Sequence, residues 1–191
     1  EGWIGYMPPV EDLQNPINRF ATQVYSADGK LMGTWNYNKE NCICVDYDQL
    51  SPALVKALVA TEDVRYYDHS GIDFKALARA IVKRGLMGQK NAGGGSTITQ
   101  QIAKQLYSDK AASVTERVLQ KPIEWVIAVQ LERNYTKDEI IAMYLNYFDF
   151  LHNAVGIKTA ANTYFGKEPK NLSVTEAATL IGLCKNPSYF N

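Results

Sequence analysis

The sequence lacks an apolar run long enough to cross a bilayer, because WVIAVQL, the longest, falls far short of the roughly 20 residues required. It also lacks net charge, with 20 basic and 20 acidic side chains, so no overall field attracts nucleic acid. Its few cysteines, Cys42, Cys44 and Cys184, form no zinc or redox pattern. The opening EGWIGYMPP is not a signal peptide and resembles a processing boundary, which leaves room for a membrane anchor upstream of it.

The residues that are present describe a folded protein. Hydrophobic residues make up 46% and charged residues 21% of 191 positions, which excludes disorder and suffices for one well-buried domain. The stretch FATQVYSADGKLMGTWNY predicts a β-hairpin that turns at Asp28-Gly29. Helical periodicity starts at Ser51. We therefore expect a mostly α protein, with a short β-rich appendage over residues 1–50 and the main domain over residues 51–191.

Start and stop signals divide the main domain into helices. Proline at the first helical position follows Ser51, whereas Pro122 predicts either a kink in the fourth helix or its true start. Capping boxes start two later helices. The first predicted helix begins at Pro52. Further helices are predicted over Asp73 to about Met87, about Thr97 to Tyr107, about Ser113 to Arg133 and 155–165. The two capping boxes that start helices are Thr136/Glu139 and Ser173/Glu176.

The segment TEDVRYYDHSG, residues 61–71, places two adjacent acids at the end of the first predicted helix. The negative end of the helix dipole disfavours charge on Glu62 and Asp63, and this suits a general base. His69 and the flanking aromatic residues would desolvate the site further. The alternative interpretation is a solvated helix end at which Asp63 pairs with a nearby arginine.

The stretch GGGSTITQQIAKQLY, residues 93–107, runs from three glycines into a predicted helix. Such loops hold phosphate at helix N-termini, but the Gly-Lys-Ser/Thr ending of a nucleotide-binding loop is absent. Neutral donors and acceptors suit sugars, and Lys104 lies one turn beyond Gln100. These side chains indicate a ligand with sugar and phosphate, and a plain surface connection is the alternative. The candidate polar residues are Ser96, Thr97, Thr99, Gln100 and Gln101.

A third segment, ERVLQKPIEWVIAVQLER, places Glu124 downstream of Arg117 and Lys121. One acid beside two cations is typical of a surface ion pair. The same arrangement suits a second active-site carboxylate beside a basic clamp for a leaving phosphate.

In order and spacing, these segments resemble the family 51 glycosyltransferases, the peptidoglycan glycosyltransferase domains of class A penicillin-binding proteins and of monofunctional transglycosylases. The resemblance covers residues 50–191. Two residues depart from the family pattern, since Tyr66 stands where phenylalanine is usual and Gln120 where the third motif has arginine. The residues that match the four motifs are Glu62, Asp63, His69 and Gly71; 95–101; Lys121 and Glu124; and Lys137, Ile140, Ile141, Tyr144, Leu145 and Asn146.

The resemblance implies a lysozyme-like helical fold with a large head lobe and a small membrane-proximal jaw lobe. It implies polymerisation of lipid II, in which the acceptor's 4-hydroxyl attacks C1 of the growing chain's terminal sugar. Configuration inverts, and undecaprenyl pyrophosphate leaves.

The resemblance also implies roles for the matched residues. Glu62 would be the base, Asp63 would support the fold around it, and Glu124 would be the second catalytic carboxylate. No cofactor is obligatory, and Glu124 is the candidate ligand for a divalent cation, Mg²⁺ or Mn²⁺. The residues expected to bind substrate are Asp63, His69, Ser96, Thr97, Thr99, Gln100, Gln101, Lys104, Arg117, Lys121 and Asn146, with Lys104, Lys121 and Arg117 placed against the pyrophosphate.

The expected partners are lipid II, the growing glycan strand and the inner-membrane surface, with a transpeptidase domain or partner beyond these residues and no nucleic acid. In IVKRGLMGQKNAG, Leu86 and Met87 lie among the basic residues Lys83, Arg84 and Lys90, which suits an anionic membrane. The implied location is the periplasmic face of a bacterial cytoplasmic membrane.

Two other functions fit parts of the sequence. A glycan-cleaving muramidase or lytic transglycosylase shares the fold and a catalytic glutamate, but it needs no pyrophosphate clamp. A non-catalytic module that binds lipid II would use the same polar loop without a base.

Overall fold

The structure, a computed structural model, describes residues 22–35, 43–83, 95–107, 114–152 and 154–185. This part of the chain is mostly helical, which confirms the prediction of a mostly α protein. Short 3-10 turns cover Tyr47–Gln49, Tyr66–Asp68 and Pro169–Asn171. The longer elements are strands β1 (Thr22–Tyr25) and β2 (Leu31–Trp35) and helices α1 (Pro52–Glu62), α2 (Phe74–Ile81), α3 (Ile98–Tyr107), α4 (Val114–Asn134), α5 (Lys137–Tyr147), α6 (Ile157–Phe165) and α7 (Val174–Lys185).

The two strands form an antiparallel pair. Thr22 lies opposite Trp35 and Val24 opposite Gly33, and the register shifts between Val24 and Tyr25. Gly29, with a φ of 77°, lies in the connection, where the sequence predicts the turn. The boundary at residue 50 stays a prediction.

Most helix boundaries follow from local signals. The Ser51 hydroxyl accepts a hydrogen bond from Leu54 N at 3.1 Å, and Asp73 caps α2 by accepting from Ala76 N at 2.9 Å. The predicted continuation of α2 to Met87 lies partly outside the described residues. Both later capping boxes are present, because Glu139 Oε2 accepts from Thr136 N at 2.7 Å and Glu176 Oε2 accepts from Ser173 N at 2.8 Å.

Pro122 is not the start of its helix. The alternative that placed the start there is wrong, because α4 begins at Val114 and continues through Pro122. Proline removes one intrahelical N–H, but the buried side chains of Ile123, Ile127 and Leu131 hold the following turns in the core.

The chain forms two compact units, and each has its own buried side chains. The first contains Leu58–Tyr144, and the second contains Leu145 onward together with residues that precede Leu58. None of the described helices is both long and apolar enough to cross a membrane. Fully buried residues of the first unit include Leu58, Tyr66, Ile98, Ile102, Ile127, Leu131, Ile140 and Ile141, and those of the second include Leu54, Leu145, Phe150, Ala160 and Leu180.

Candidate active site

Glu62 is the last residue of α1 and its side chain is hydrogen-bonded to a neutral amide. Gln101 Nε2 donates to Glu62 Oε2 at 2.8 Å. The same amide accepts a hydrogen bond through Oε1 from the Tyr144 hydroxyl at 3.2 Å. Gln101 lies on α3 and Tyr144 on α5, so residues from three helices, all three within the first unit, meet at this carboxylate.

Asp63, next in the chain, is 7% exposed, and its carboxylate is hydrogen-bonded to other groups of the protein. Its Oδ2 lies 2.9 Å from His69 Nε2 and accepts from Ile98 N at 3.2 Å. A carboxylate oxygen only accepts, so Nε2 carries the hydrogen of the imidazole bond. The contact with Ile98 places negative charge at the N-terminus of α3, where the helix dipole favours it. Asp63 therefore joins the end of α1 to the start of α3. Among the described residues it pairs with no arginine, and the nearby Arg65 bonds Asp73 instead.

The polar residues at the start of α3 are turned towards protein groups. Thr97, 1% exposed, accepts from Gln100 N at 3.1 Å and donates its hydroxyl to Gly71 O at 2.7 Å. Gln100 returns the contact, since its Oε1 lies 3.4 Å from Thr97 N. The Thr99 hydroxyl donates to Glu132 Oε1 at 2.6 Å. Their predicted contact with substrate stays a prediction, and the described contacts are structural.

Two glycines allow this packing. Gly71 has a φ of 92°, and a Cβ there would lie 2.9 Å from Ala128 O of α4, so any side chain is excluded. Gly95, the last glycine of the GGG run, lies against α2, where a Cβ would come 3.1 Å from Leu77 Cα. Gly95 thus brings two protein segments together, whereas the other two glycines of the run lie outside the described residues.

Other predicted ligands of α3 remain accessible. Ser96 is half-buried just before the helix, and Lys104 is exposed three residues beyond Gln101. Residues three apart share a helix face, so Lys104 lies on the side of α3 that carries Gln101.

Glu124 has a cationic partner. Its side chain is 2% exposed, and Lys121 Nζ donates to Glu124 Oε2, with Lys121 37% exposed. The pair lies on α4 one turn apart, as the third motif predicts. Arg117 is on the same helix one turn before Lys121, and its side chain lies outside the described part.

A buried network next to this site was not predicted. Glu132 Oε1 accepts from Lys137 Nζ at 2.8 Å as well as from Thr99, and Lys137 Nζ also donates to His69 O at 2.7 Å. The Lys137 ammonium lies 4.3 Å from the Tyr66 ring centroid, and the Tyr66 hydroxyl donates to Lys137 O. Burial, and next the charge of Glu132, raises the pKa of Tyr66 above its usual value. Glu132 lies one turn beyond buried Ala128, and that spacing was the signal that could have identified it.

Asn146 belongs to the second unit, and its side chain is hydrogen-bonded to the backbone of that unit. Its Oδ1 accepts from Val45 N at 3.0 Å and its Nδ2 donates to Val45 O at 2.9 Å. Both ends of this 6%-exposed amide are therefore engaged by one residue's backbone. A role in substrate binding stays a prediction.

A cavity of about 590 Å³ lies beside the first motif. Arg65, His69, Phe74, Lys75 and Val129 are among the residues that line it, and Glu62 and Glu124 are not. Within the described ranges no group of three or more His, Cys, Asp or Glu side chains is arranged to hold a metal ion. Hydrogen bonds bring the Gln101 amide and, through it, the Tyr144 hydroxyl to Glu62.

Comparison with known proteins places these residues in one family. The model of the family described as Transglycosylase matches residues 28–191. Penicillin-binding protein 1A of Escherichia coli (strain K12) is 39% identical over 97% of this chain, and penicillin-binding protein 2D of Bacillus subtilis (strain 168) is 40% identical over 90%. Penicillin-binding protein 1A of Haemophilus influenzae is 36% identical over 100%. The chain spans only 21%, 24% and 21% of the lengths of these relatives, respectively.

Proposed function

The chain belongs to the transglycosylase family, and we propose on this premise that it is a peptidoglycan glycosyltransferase domain that polymerises lipid II. The acceptor's 4-hydroxyl oxygen bonds to C1 of the donor sugar with inversion, and the bond from C1 to the phosphate oxygen breaks. The hydroxyl proton passes to the base, and undecaprenyl pyrophosphate leaves with the bonding electrons. The observation that carries the proposal is the carboxylate of Glu62, which a neutral amide holds in place within a transglycosylase sequence.

Glu62 acts as the general base. A sugar hydroxyl is a poor nucleophile at neutral pH, so a carboxylate must take its proton as the new bond forms. The hydrogen bond from Gln101 orients Glu62 without placing a cation on it.

Lysine side chains stabilise the leaving group. Negative charge grows on the pyrophosphate as C1 detaches, and fixed cations offset it. Lys121 is held by Glu124 and remains 37% exposed, so its ammonium group can also meet an anion. Exposed Lys104 supplies a second charge, and we assign a third to Arg117. Glu124 thereby acts on the reaction by positioning Lys121.

No metal is required in this scheme. The described residues fit a divalent cation poorly, because Glu124 already accepts from an ammonium group and no cluster of three ligating side chains accompanies it there. We therefore derive no step through Mg²⁺ or Mn²⁺.

We further propose that α2 belongs to a jaw lobe at the outer face of the bacterial cytoplasmic membrane, beside a lysozyme-like head lobe. The helix and the two residues that follow it expose three large apolar side chains, at 68%, 63% and 46%, next to basic ones spaced one turn apart. This combination suits insertion at an anionic lipid surface. The Leu86 and Met87 patch lies outside the described residues. The apolar residues are Phe74, Ile81 and Val82, and the basic residues are Lys75, Arg79 and Lys83.

The relatives are penicillin-binding proteins several times longer than this chain, so we propose a transpeptidase domain or partner that acts on the same glycan strand.

A product assay tests the reaction. The protein is incubated separately with lipid II and with finished glycan strands, and products are separated by length. We expect polymer from lipid II and no fragments from the strands. Fragments would establish the glycan-cleaving alternative, and lipid II binding without polymer would establish the non-catalytic one.

Glu62→Gln tests the base. We expect kcat to fall about 10²- to 10⁴-fold, because the amide cannot take the proton, while the affinity for lipid II is retained. Glu168→Gln, at an exposed glutamate outside the site, is the matched control and should leave kcat unchanged. Full polymerase activity of Glu62→Gln would overturn the assignment.

A further inference from the structure

The side chain of Gln101 is held at both ends. Its Nε2 donates to Glu62 Oε2 at 2.8 Å, and its Oε1 accepts from the Tyr144 hydroxyl at 3.2 Å. Tyr144 is 1% exposed, and the three residues come from α5, α3 and the end of α1. The amide therefore bridges a buried hydroxyl and the proposed base.

The orientation of this amide has only one arrangement that satisfies both neighbours. A carboxylate accepts and does not donate, so the NH₂ group must face Glu62 and the carbonyl oxygen must face Tyr144. The Tyr144 hydroxyl then has to act as donor in this contact. Rotating the amide by half a turn would set its oxygen against the Glu62 carboxylate and its NH₂ group against the tyrosine.

We propose that Tyr144 is a positioning residue for the glycosyl transfer, acting through Gln101 on Glu62. The inference rests on the proposed function, because it takes Glu62 as the base. The Glu62 carboxylate determines that the NH₂ end of the Gln101 amide faces it, and the Tyr144 hydroxyl holds the other end of the amide in place. An amide anchored in this way fixes the direction of the carboxylate. The base thus meets the acceptor hydroxyl in one orientation, and its position contributes to the chemical step.

Tyr144→Phe removes only the hydroxyl and keeps the buried ring. We expect kcat for lipid II polymerisation to fall about three- to tenfold, which is the value of one neutral hydrogen bond, with KM changed less than about twofold. Tyr164→Phe is the matched control, because Tyr164 likewise donates its hydroxyl to a protein oxygen, in its case the backbone Phe150 O at 2.8 Å in the second unit. This control should lower thermal stability and leave kcat unchanged.

A double-mutant cycle separates positioning from a merely structural role. Gln101→Met removes both hydrogen bonds at similar side-chain length, and adding Tyr144→Phe to it should reduce kcat no further, because Tyr144 acts through Gln101. Fully additive losses would overturn the relay. So would a wild-type kcat for Tyr144→Phe, or a raised KM at constant kcat.

The two proposals fail in different ways. Full activity of Glu62→Gln would overturn the assignment of Glu62 as the base. An inactive Glu62→Gln together with a fully active Tyr144→Phe would overturn only the positioning role of Tyr144. Thermal unfolding of each variant, followed by circular dichroism, verifies that it is folded. If Tyr144→Phe does not fold, Gln101→Met alone carries the test and must lower kcat at least threefold for the relay to stand.

Discussion

Two helices of this protein start with the same local device in very different surroundings. At α3, Thr97 and Gln100 form the capping pair and are 1% and 3% exposed. At α7, Ser173 and Glu176 form it, with Ser173 exposed and the Glu176 side chain 19% exposed. The α3 pair is neutral, whereas Glu176 is charged and also accepts from Lys167 Nζ at 2.7 Å.

The difference lies in what each cap is connected to. The start of α3 has an additional acceptor, Asp63, and the hydroxyl of Thr97 also holds Gly71. These contacts join the helix that carries Gln101 to the residue next to Glu62. Among the described residues, the α7 cap bonds within the chain segment around it and forms an ion pair with Lys167. Both caps start a helix, but only the α3 cap also joins its helix to the residue next to Glu62.

The largest effect is expected at Asp63. Asp63→Ala should lower the free energy of unfolding by about 3 kcal/mol, because it orphans a buried imidazole N–H and a helix N–H at about 1–3 kcal/mol each. Urea denaturation measures this loss. Asp63→Asn retains one acceptor oxygen and should lose less. A loss below about 1 kcal/mol from Asp63→Ala would contradict a role for Asp63 in joining α1 to α3.

A smaller loss of stability, different for the α3 and α7 caps, is expected on removing the cap hydroxyls of Thr97 and Ser173. Thr97→Ala should cost about 1–2 kcal/mol, since the hydroxyl is buried and makes two bonds, whereas Ser173→Ala should cost about 0.5–1 kcal/mol. Thermal unfolding compares the two variants, with Thr97→Ser and Ser173→Thr as controls that keep each hydroxyl. Equal losses at both positions would remove the contrast between the caps.

The smallest effect concerns charge and pH at α7. The hydrogen bond from Lys167, and next the one from Ser173 N, lowers the pKa of Glu176 from its ordinary 4.5 to about 2. A depressed folded-state pKa stabilises above the unfolded value, and this contribution is lost as the pH falls towards 2. The difference in melting temperature between wild type and Glu176→Gln should therefore shrink between about pH 4.5 and pH 2. A difference that stays constant over this range would show that the charge contributes nothing.

Much of the helical framework was predictable because its signals are local. Proline after Ser51, the capping boxes at Thr136 and Ser173, and Gly166 after α6 act over three or four residues, and each helix end lies where it was expected. The prediction that the helix starts at Pro122 was wrong, because the burial of the side chains that follow it outweighs one missing hydrogen bond.

The partners of the polar residues were not predictable in this way. The sequence indicated that the hydroxyls and amides before and within α3 suit a sugar, yet Thr99 donates to Glu132, 33 residues away. Asn146 was likewise expected to bind substrate, yet its side chain bonds Val45, 101 residues away. Hydroxyl and amide groups have the same chemistry whether they face ligand or protein. Their direction depends on which helices pack together.

The sequence by itself determined the helices, the order of the four motifs and the position of Glu62 at a helix end, since these depend on short-range spacing along the chain. Only the tertiary structure decided that Gln101 meets Glu62, that Tyr144 donates to Gln101, and that Asp63 caps α3. The physical reason is that a buried polar group must find a partner when water is excluded. That partner is supplied by whichever helix the hydrophobic core brings alongside.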